Sequence, residues 1–525
     1  MNARFAKQTL VAATLVTVGG NVLGRLFGFL REAVIANYFG TSAILDLFLI
    51  AAIIPEILTF VIFAALPTSV IRTSPSADQS DAAGESALFW KGLYACAAFF
   101  GVLSAALYLA RFPLIDWIAP ELTAENAVVA ARLLTLLAPF VFFRSLEAYF
   151  RAWLFRRKHF VAPALSPFVI DAVIIMWIWL GYETLNIESL AYGWLAASVV
   201  LFLAHAIAVG VILKPGRPDN KCGVTVGPLL RMTLAVMAVE SLSLLYPAID
   251  RYLAVRYLGE GEIAALRYAL FLSQVPPGML VVTFAAAAFP WISDMAATQP
   301  EKLVSFYRET LRLVVYVMVP MAAGLVVFAP EVVSVAFRRG AFDQQSVMLT
   351  SGPLLFYSLG LIFYGVYFYQ IRFYYARSLL ARLGLILGST LLLKLVASVV
   401  LVRWLAADGL ALATSLAWLA TSVIMTIDLG RGSRLTLSRD ISGWLVRLLV
   451  SIAGACGVWL LAGELWTLPP SASLAIQFFW LIVVGLLGAS VYFGLSLILH
   501  MPEPRRVFDT LKNRLEISRS GPSRS

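Results

Sequence analysis

Gly24-Arg25-Leu26-Phe27-Gly28-Phe29-Leu30-Arg31-Glu32 opens a mostly apolar stretch that continues through Asp46 to Pro55-Glu56. The stretch is long enough to make one membrane helix and begin the next, since a span needs about 20 mostly apolar residues. Yet it carries Arg25, Arg31, Glu32, Asp46 and Glu56. A charge at the bilayer centre costs at least about 2.5–3.5 kcal/mol on insertion scales, so such groups face a protein interior or a wet cavity and mark transport paths. Arg25 and Arg31 are six residues apart, which places them roughly 120° from each other on a helix of about 3.6 residues per turn. Gly24 and Gly28 allow a bend or a close approach that would turn both arginines towards one cavity. The competing reading sets Arg31-Glu32 at a helix end, with the guanidinium reaching the headgroups.

Working outward, the whole chain shares this character. Its 525 residues are 61% hydrophobic and only 13% charged, and the mean hydropathy is +0.86. Those values exclude a soluble domain of this length. Apolar runs of about 20 residues recur throughout and predict an all-α polytopic membrane protein with about fourteen transmembrane helices. The net charge of +10 points to basic cytoplasmic loops, not to nucleic acid. Cys96, Cys222 and Cys456 are scattered without a CxxC pair, and His159, His205 and His500 are dispersed. Neither a disulfide framework nor a metal site follows. There is no phosphate-binding Walker loop, nucleophile elbow or ATPase domain. The expectation is a non-enzyme without a cofactor, driven by a coupling ion or the membrane potential. Arg4 and Lys7 precede an apolar run longer than a signal-peptide core, which reads as a retained first helix.

Lys and Arg set the orientation. Arg4, Lys7, Arg72, Arg156-Arg157-Lys158, Lys214, Arg217, Lys221, Lys302, Arg377, Arg382, Arg431, Arg434 and Arg439 fall on one side. The alternate loops carry Asp116, Glu121, Glu125, Glu183 and Glu188 instead. Both termini are therefore expected in the cytoplasm. The spans divide into an N-terminal lobe (1–213, helices 1–6) and a C-terminal lobe (214–430, helices 7–12). These are read as two six-helix halves around a central cavity. Helices 13 and 14 (431–500) are poor in charge and look lipid-facing, and 501–525 is a basic cytoplasmic tail.

The intramembrane ionisable set is Arg25, Arg31, Asp46, Glu56, Arg144, Glu147, Arg151, Asp171, Glu240, Asp250, Arg251, Arg267 and Lys394. Arg144, Glu147 and Arg151 stand at i,i+3 and i,i+4 spacing and read as a structural group on one helix face. Asp250 and Arg251 are neighbours that point in different directions, so each needs a partner from another helix; Arg267 is a candidate for Asp250. Cations are in excess in the first half. An arginine-lined cavity suits an anionic substrate, because guanidinium grips phosphate with paired hydrogen bonds. Asp46, Glu56, Asp171 and Glu240 keep a cation-coupled drug antiporter open as another class.

Several fragments stand in a fixed order. They are Gly24-Arg25-x-x-Gly28-Phe29-x-Arg31-Glu32 with Phe39-Gly40 and Asp46; Phe155 to Lys158 with His159-Phe160-x-x-Pro163-Ala164-x-x-Pro167; and Ala191-Tyr192-Gly193. Further on come Ile249-Asp250-Arg251, Ala265-Leu266-Arg267-Tyr268-Ala269, Pro277-Gly278, Phe289-Pro290, Arg339-Gly340-Ala341-Phe342-Asp343 and Arg372-Phe373-Tyr374-Tyr375-Ala376. Together, in this order, they resemble the MurJ/MviN lipid II flippases of the multidrug/oligosaccharidyl-lipid/polysaccharide exporter superfamily.

The resemblance implies export of a polyprenyl-pyrophosphate-linked peptidoglycan precursor across the bacterial inner membrane by alternating access. The partners it implies are the lipid-linked glycan and membrane lipids; the sequence does not set the oligomeric state, and a monomer is the expectation. The implied cavity residues are Arg25, Arg31, Asp46 and Arg267, beside Glu56, Asp250 and Arg251 from the charge reading. The chain also departs from the family. Where the family's second helix has an Arg-Arg pair after a Pro-Asn motif, this chain has Pro55-Glu56 and then Thr59-Phe60, and an Asp-Arg of the eighth helix is Leu270-Phe271 here. A relative that exports another lipid-linked oligosaccharide or exopolysaccharide is the alternative within the superfamily.

Overall fold

The structure is a computed structural model. It describes residues 10–73, 82–157, 159–216, 225–377, 379–433, 441–466 and 473–504. Among these the regular structure is entirely helical. The loop charges at Arg4, Lys7, Lys158, Arg217, Lys221, Arg434 and Arg439, and the tail from 505, lie outside the described residues, as do the side chains of Arg72 and Glu240.

The first eight helices are α1 (Leu10–Phe39), α2 (Ala43–Thr73), α3 (Ala82–Leu109), α4 (Arg111–Ile118), α5 (Ala124–Arg156), α6 (Val161–Leu185), α7 (Ile187–Ile212) and α8 (Gly227–Tyr257). They are followed by α9 (Glu262–Pro277), α10 (Thr283–Thr298), α11 (Pro300–Val327), α12 (Ala329–Phe337), α13 (Gln344–Ala376), α14 (Leu380–Ser433), α15 (Ile441–Leu465) and α16 (Leu474–Ile498). Ten stretches within them are long and apolar enough to cross a membrane. One of these, Leu380–Arg431, holds two spans, because Ala406 at φ 49° breaks α14. That gives eleven such stretches among the described residues, and α1, α8, α9 and α10 are helical besides. Short α4 and α12 were not anticipated; each carries a proline in its first turn, Pro113 and Pro330, which suits a helix start.

Contacts group residues 1–264 with 339–346 into one compact unit, and the remainder into a second. In the first unit α1 lies along α6 through a stripe of small residues. A methyl on Gly24 would sit 2.6 Å from Pro167 Cβ, and one on Gly20 would meet the Ala164 backbone. One on Gly28 would touch Asp171 Oδ2 at 3.3 Å. The glycines let two backbones approach, the usual device where lipid supplies no hydrophobic drive between helices. α2, α3 and α5 share a core of Ile62, Leu66, Phe89, Phe100, Tyr149 and Trp153. The Tyr149 hydroxyl donates to Phe89 O at 2.8 Å, which satisfies a polar group that would be costly if left alone in this core.

In the second unit, Pro276-Pro277 withhold two backbone N–H groups, and the chain answers with a π turn at Gly278–Val282 between α9 and α10. α11 and α13 meet at Tyr307, Tyr369 and Phe373. Gln370 Nε2 donates there to Tyr307 Oη (3.0 Å) and Thr426 Oγ1 (2.7 Å). Lys394, wholly buried, donates to Thr414 Oγ1 at 2.5 Å. α15 and α16 pack on each other and on α11, where Tyr492 Oη donates to Tyr316 O at 2.8 Å. The other sides of α15 and α16 remain exposed apolar surface, including Leu449, Leu460, Phe479 and Leu486.

Candidate functional site

The glycine stripe on α1 delivers Arg31 to α6. Its Nη1 donates to Asp171 Oδ1 at 2.6 Å and its Nη2 to Glu32 Oε1 at 2.7 Å. The Arg31 side chain keeps 19% of its surface, against 2% for Glu32 and 5% for Asp171. One guanidinium therefore serves two buried carboxylates, and its planar fork suits that geometry. Arg25 is exposed on a different face. The structure does not bring Arg25 and Arg31 together. α1 runs unbroken from Leu10 to Phe39, and its glycines serve close packing on α6.

Asp46, in the first turn of α2, is buried and accepts from Gly261 N at 2.6 Å and Ala264 N at 2.8 Å. It thus caps the free amides at the start of α9, where negative charge is favoured. Gly261 takes φ 82°, and a methyl there would strike the Thr41 carbonyl. The loop 339–346 joins the same corner. Ala341 N donates to Asn37 O at 2.8 Å, and Gly40 and Gly340 take φ of 58° and 55°. Asp343 accepts from Ser346 N at 2.8 Å and Ser346 Oγ at 3.0 Å. Those donors hold its carboxyl below the usual carboxylate range.

A cavity of about 420 Å³ lies within the first unit. α2 contributes Glu56, Thr59, Phe60 and Phe63, and α5 contributes Phe140 and Arg144. Ile170 of α6, Trp194 of α7 and Pro247 and Arg251 of α8 complete the wall. Glu56 and Arg251 face each other at 2.5 Å, and each side chain keeps 23% of its surface. Arg144 pairs with Glu147 and lies 4.1 Å from the Phe63 ring centre. Arg151 stands 5.7 Å from the same ring and 5.2 Å from Phe155. Glu147 is fully buried, and its other oxygen lies 3.9 Å from His205 Nδ1. The guanidiniums rest on aromatic faces, whose quadrupoles favour cations. Ile170 of the wall immediately precedes Asp171, so the Arg31 cluster and the cavity share one turn of α6.

Of the residues singled out from sequence, Glu56 and Arg251 reach the cavity and are partners. Asp250 is buried beside them at 7% exposure. Arg31 and Asp171 form the neighbouring cluster, and Asp46 caps α9. Arg267 is half-buried in the second unit. Sequence reasoning did not place Arg144, Thr59, Phe63 or Trp194 in a cavity. The available signal was two arginines, Arg144 and Arg151, set around the single Glu147, which leaves one positive charge over.

A sequence model described as "Lipid II flippase MurJ" matches residues 35–479. A protein of Vibrio cholerae named probable lipid II flippase MurJ is 24% identical over 515 residues, which cover 94% of this chain and 96% of the relative. One from Aquifex aeolicus with the same name is 24% identical over 364 residues, 68% of this chain and 70% of the relative. A solved structure of lipid II flippase MurJ in an inward closed conformation superposes with a TM-score of 0.75. It has 21% identity and covers 93% of this chain and 100% of the other. An inward-facing multidrug resistance MATE transporter of the MOP superfamily follows at TM-score 0.66 and 15% identity, covering 80% and 98%. With the family match running over most of its length, the chain belongs to the MurJ family of lipid II flippases.

Proposed function

We propose that the chain is a flippase that carries lipid II, a polyprenyl-pyrophosphate-linked peptidoglycan precursor, from the inner to the outer leaflet of the bacterial inner membrane. The observation that supports this most is a cavity inside a membrane-spanning helical unit with Arg144 and Arg251 built into its wall. Each guanidinium has a carboxylate partner, Glu147 for Arg144 and Glu56 for Arg251, and an anionic head group entering the cavity can compete for them. In this reading the head group crosses through protein while the polyprenyl tail stays in lipid, and the 1–213 and 214–430 lobes alternate in exposing it to each side. No bond is made or broken. A coupling ion or the membrane potential supplies the energy, the working unit is a monomer, and both termini face the cytoplasm.

Expression in a bacterium depleted of its own lipid II flippase tests the proposal. Rescued growth and normal cell shape are expected. Lysis, with the protein present in the membrane at normal abundance, would overturn it. Glu56, a carboxylate in the cavity wall, supports a second reading in which another lipid-linked saccharide is carried. That reading is selected if peptidoglycan synthesis fails while deletion in the native host removes a surface polymer.

A further inference from the structure

We infer that His205 is a positioning residue of the transport cycle: on taking up a proton its imidazole draws Glu147 off Arg144, so that a proton at His205 and a cargo anion at Arg144 favour each other. The inference rests on the flippase reading and adds to it a proton-linked residue behind the cavity wall, one that touches no cargo itself.

Glu147 of α5 is the hub. One of its oxygens takes Arg144, whose guanidinium reaches the cavity beside Phe63. The other, Oε1, has no hydrogen-bond partner among the described residues, in a side chain with 0% of its surface exposed. A buried carboxylate oxygen without a donor is destabilising. His205 Nδ1 of α7 stands 3.9 Å from it, too far for a hydrogen bond and near enough for charge to act. The ring's own hydrogen bonds suit an imidazolium. Nδ1 lies 2.9 Å from Leu201 O, a carbonyl, which assigns a proton to Nδ1. Nε2 lies 3.4 Å from Ser166 Oγ of α6, and the one hydroxyl proton of Ser166 goes to Ala162 O at 3.1 Å. The neutral ring must take that proton away from Ala162 to satisfy Nε2. The protonated ring donates from both nitrogens to two acceptors, and no bond is lost.

The charged groups that act on His205 are Glu147, Arg151 and Arg144, all of α5. α6 faces it with Ser166, and its own helix with the Leu201 carbonyl. Among the described residues α2 brings it no charge, and Glu56, Asp250 and Arg251, on α2 and α8, are outside this set. With the cavity empty, an imidazolium would have to share the single carboxylate of Glu147 with two guanidiniums. An anion that engages Arg144 takes over as its counter-charge. Glu147 is then left to His205, and a swing of about 1 Å brings Nδ1–H to hydrogen-bond distance of Oε1. By linkage the effect runs both ways: the proton readies Arg144 for the anion, and the anion holds the proton on His205. The proton comes from water and returns to it when the anion leaves.

The test uses the full chain in lipid nanodiscs, titrated calorimetrically with methanedisulfonate between about pH 5.5 and 8, the range in which histidine titrates and this dianion does not. Runs in two buffers of different ionisation heat count the protons taken up with the anion. The wild type is expected to bind about fivefold or more tightly at the acid end, and to take up protons as it binds. His205→Gln keeps a polar side chain and carries no charge at any pH; its binding is expected to be flat with pH and free of proton uptake. Glu147→Gln is expected to be flat as well, and tight at both ends, because Arg144 loses its internal competitor. A pH response in His205→Gln equal to that of the wild type overturns the inference, including one in which affinity falls alike at every pH, the mark of a merely structural histidine. So does a wild type that binds the anion without proton uptake, or that does not bind it. If His205→Gln fails to fold, Glu147→Gln decides, and pH dependence retained there overturns the inference. Lipid II translocation in proteoliposomes separates the two failures. Translocation with one pH profile shared by the wild type and His205→Gln sinks the role of His205 and leaves the flippase; no translocation by the wild type at any pH sinks the flippase.

Discussion

Arg31 and its two carboxylates give the sharpest energetic expectation. Asp171→Ala removes a partner that Arg31 holds at 2.6 Å with 5% of its side chain exposed. Breaking a buried pair by deleting one member costs about 3–5 kcal/mol when the other is stranded. Here the guanidinium keeps Glu32 at 2.7 Å and 19% of its own surface, so the expected loss falls to about 2–3 kcal/mol. Arg31→Ala is expected to cost more, about 3–5 kcal/mol, because it takes from two buried carboxylates the cation they share. The double substitution then leaves only Glu32 to account for. Its cost should fall short of the sum of the singles by about 1–3 kcal/mol, the range for residues in direct contact. The assay is steric-trap unfolding of the full chain in bicelles, run as a four-member cycle. Costs that simply add, or Asp171→Ala exceeding Arg31→Ala, would refute the shared-cation arrangement.

Gly24→Leu forces a side chain into the space held by Pro167 and is expected to lower the melting temperature in detergent, with an overpacking cost of about 1–3 kcal/mol; an unchanged melt would show that α1 and α6 do not approach there. Asp46→Asn leaves one acceptor oxygen where the carboxyl offers a separate oxygen to each of two amides, and a loss of about 1–2 kcal/mol is expected, read as faster hydrogen exchange at Gly261 and Ala264. Asp343 carries a depressed carboxyl, so its contribution is present above the ordinary carboxylate range and disappears as pH falls through its lowered folded value. Asp343→Asn should therefore flatten the acid limb of the stability profile, and an identical limb in both proteins would contradict the Ser346 hydrogen bonds.

The architecture was legible because bilayer physics leaves few choices. Apolar runs of spanning length must be helices, and the recurrence of such runs points to the fold class. The finer breaks were not legible. Nothing in the run through Trp404-Leu405-Ala406 announces a positive φ at Ala406, and the short helices α4 and α12 lie beyond the resolution of hydropathy. Gly24 and Gly28 were read as a bend or a close approach, and the packing on α6 is the second of these. At the site, sequence identified ionisable groups that lipid would reject, yet their partners come from helices far apart in the chain. Arg31 meets Asp171, and Glu56 meets Arg251, through packing that spacing does not encode. Asp46 looked like a cavity group because a carboxylate at that depth needs a reason; its reason is two backbone amides ahead of α9. Arg144 was read as structural through its partner Glu147, and it is that, while also lining the cavity.

Lipid II translocation by the purified chain in proteoliposomes tests the central claim most directly. Labelled lipid II placed in one leaflet is followed by a membrane-impermeant reagent that modifies only the exposed head group. The expected result is transfer well above protein-free vesicles, reduced about tenfold or more in Arg251→Gln, the factor for a lost charge-assisted contact. Transfer at the rate of empty vesicles, from protein shown to be folded and inserted, would contradict it.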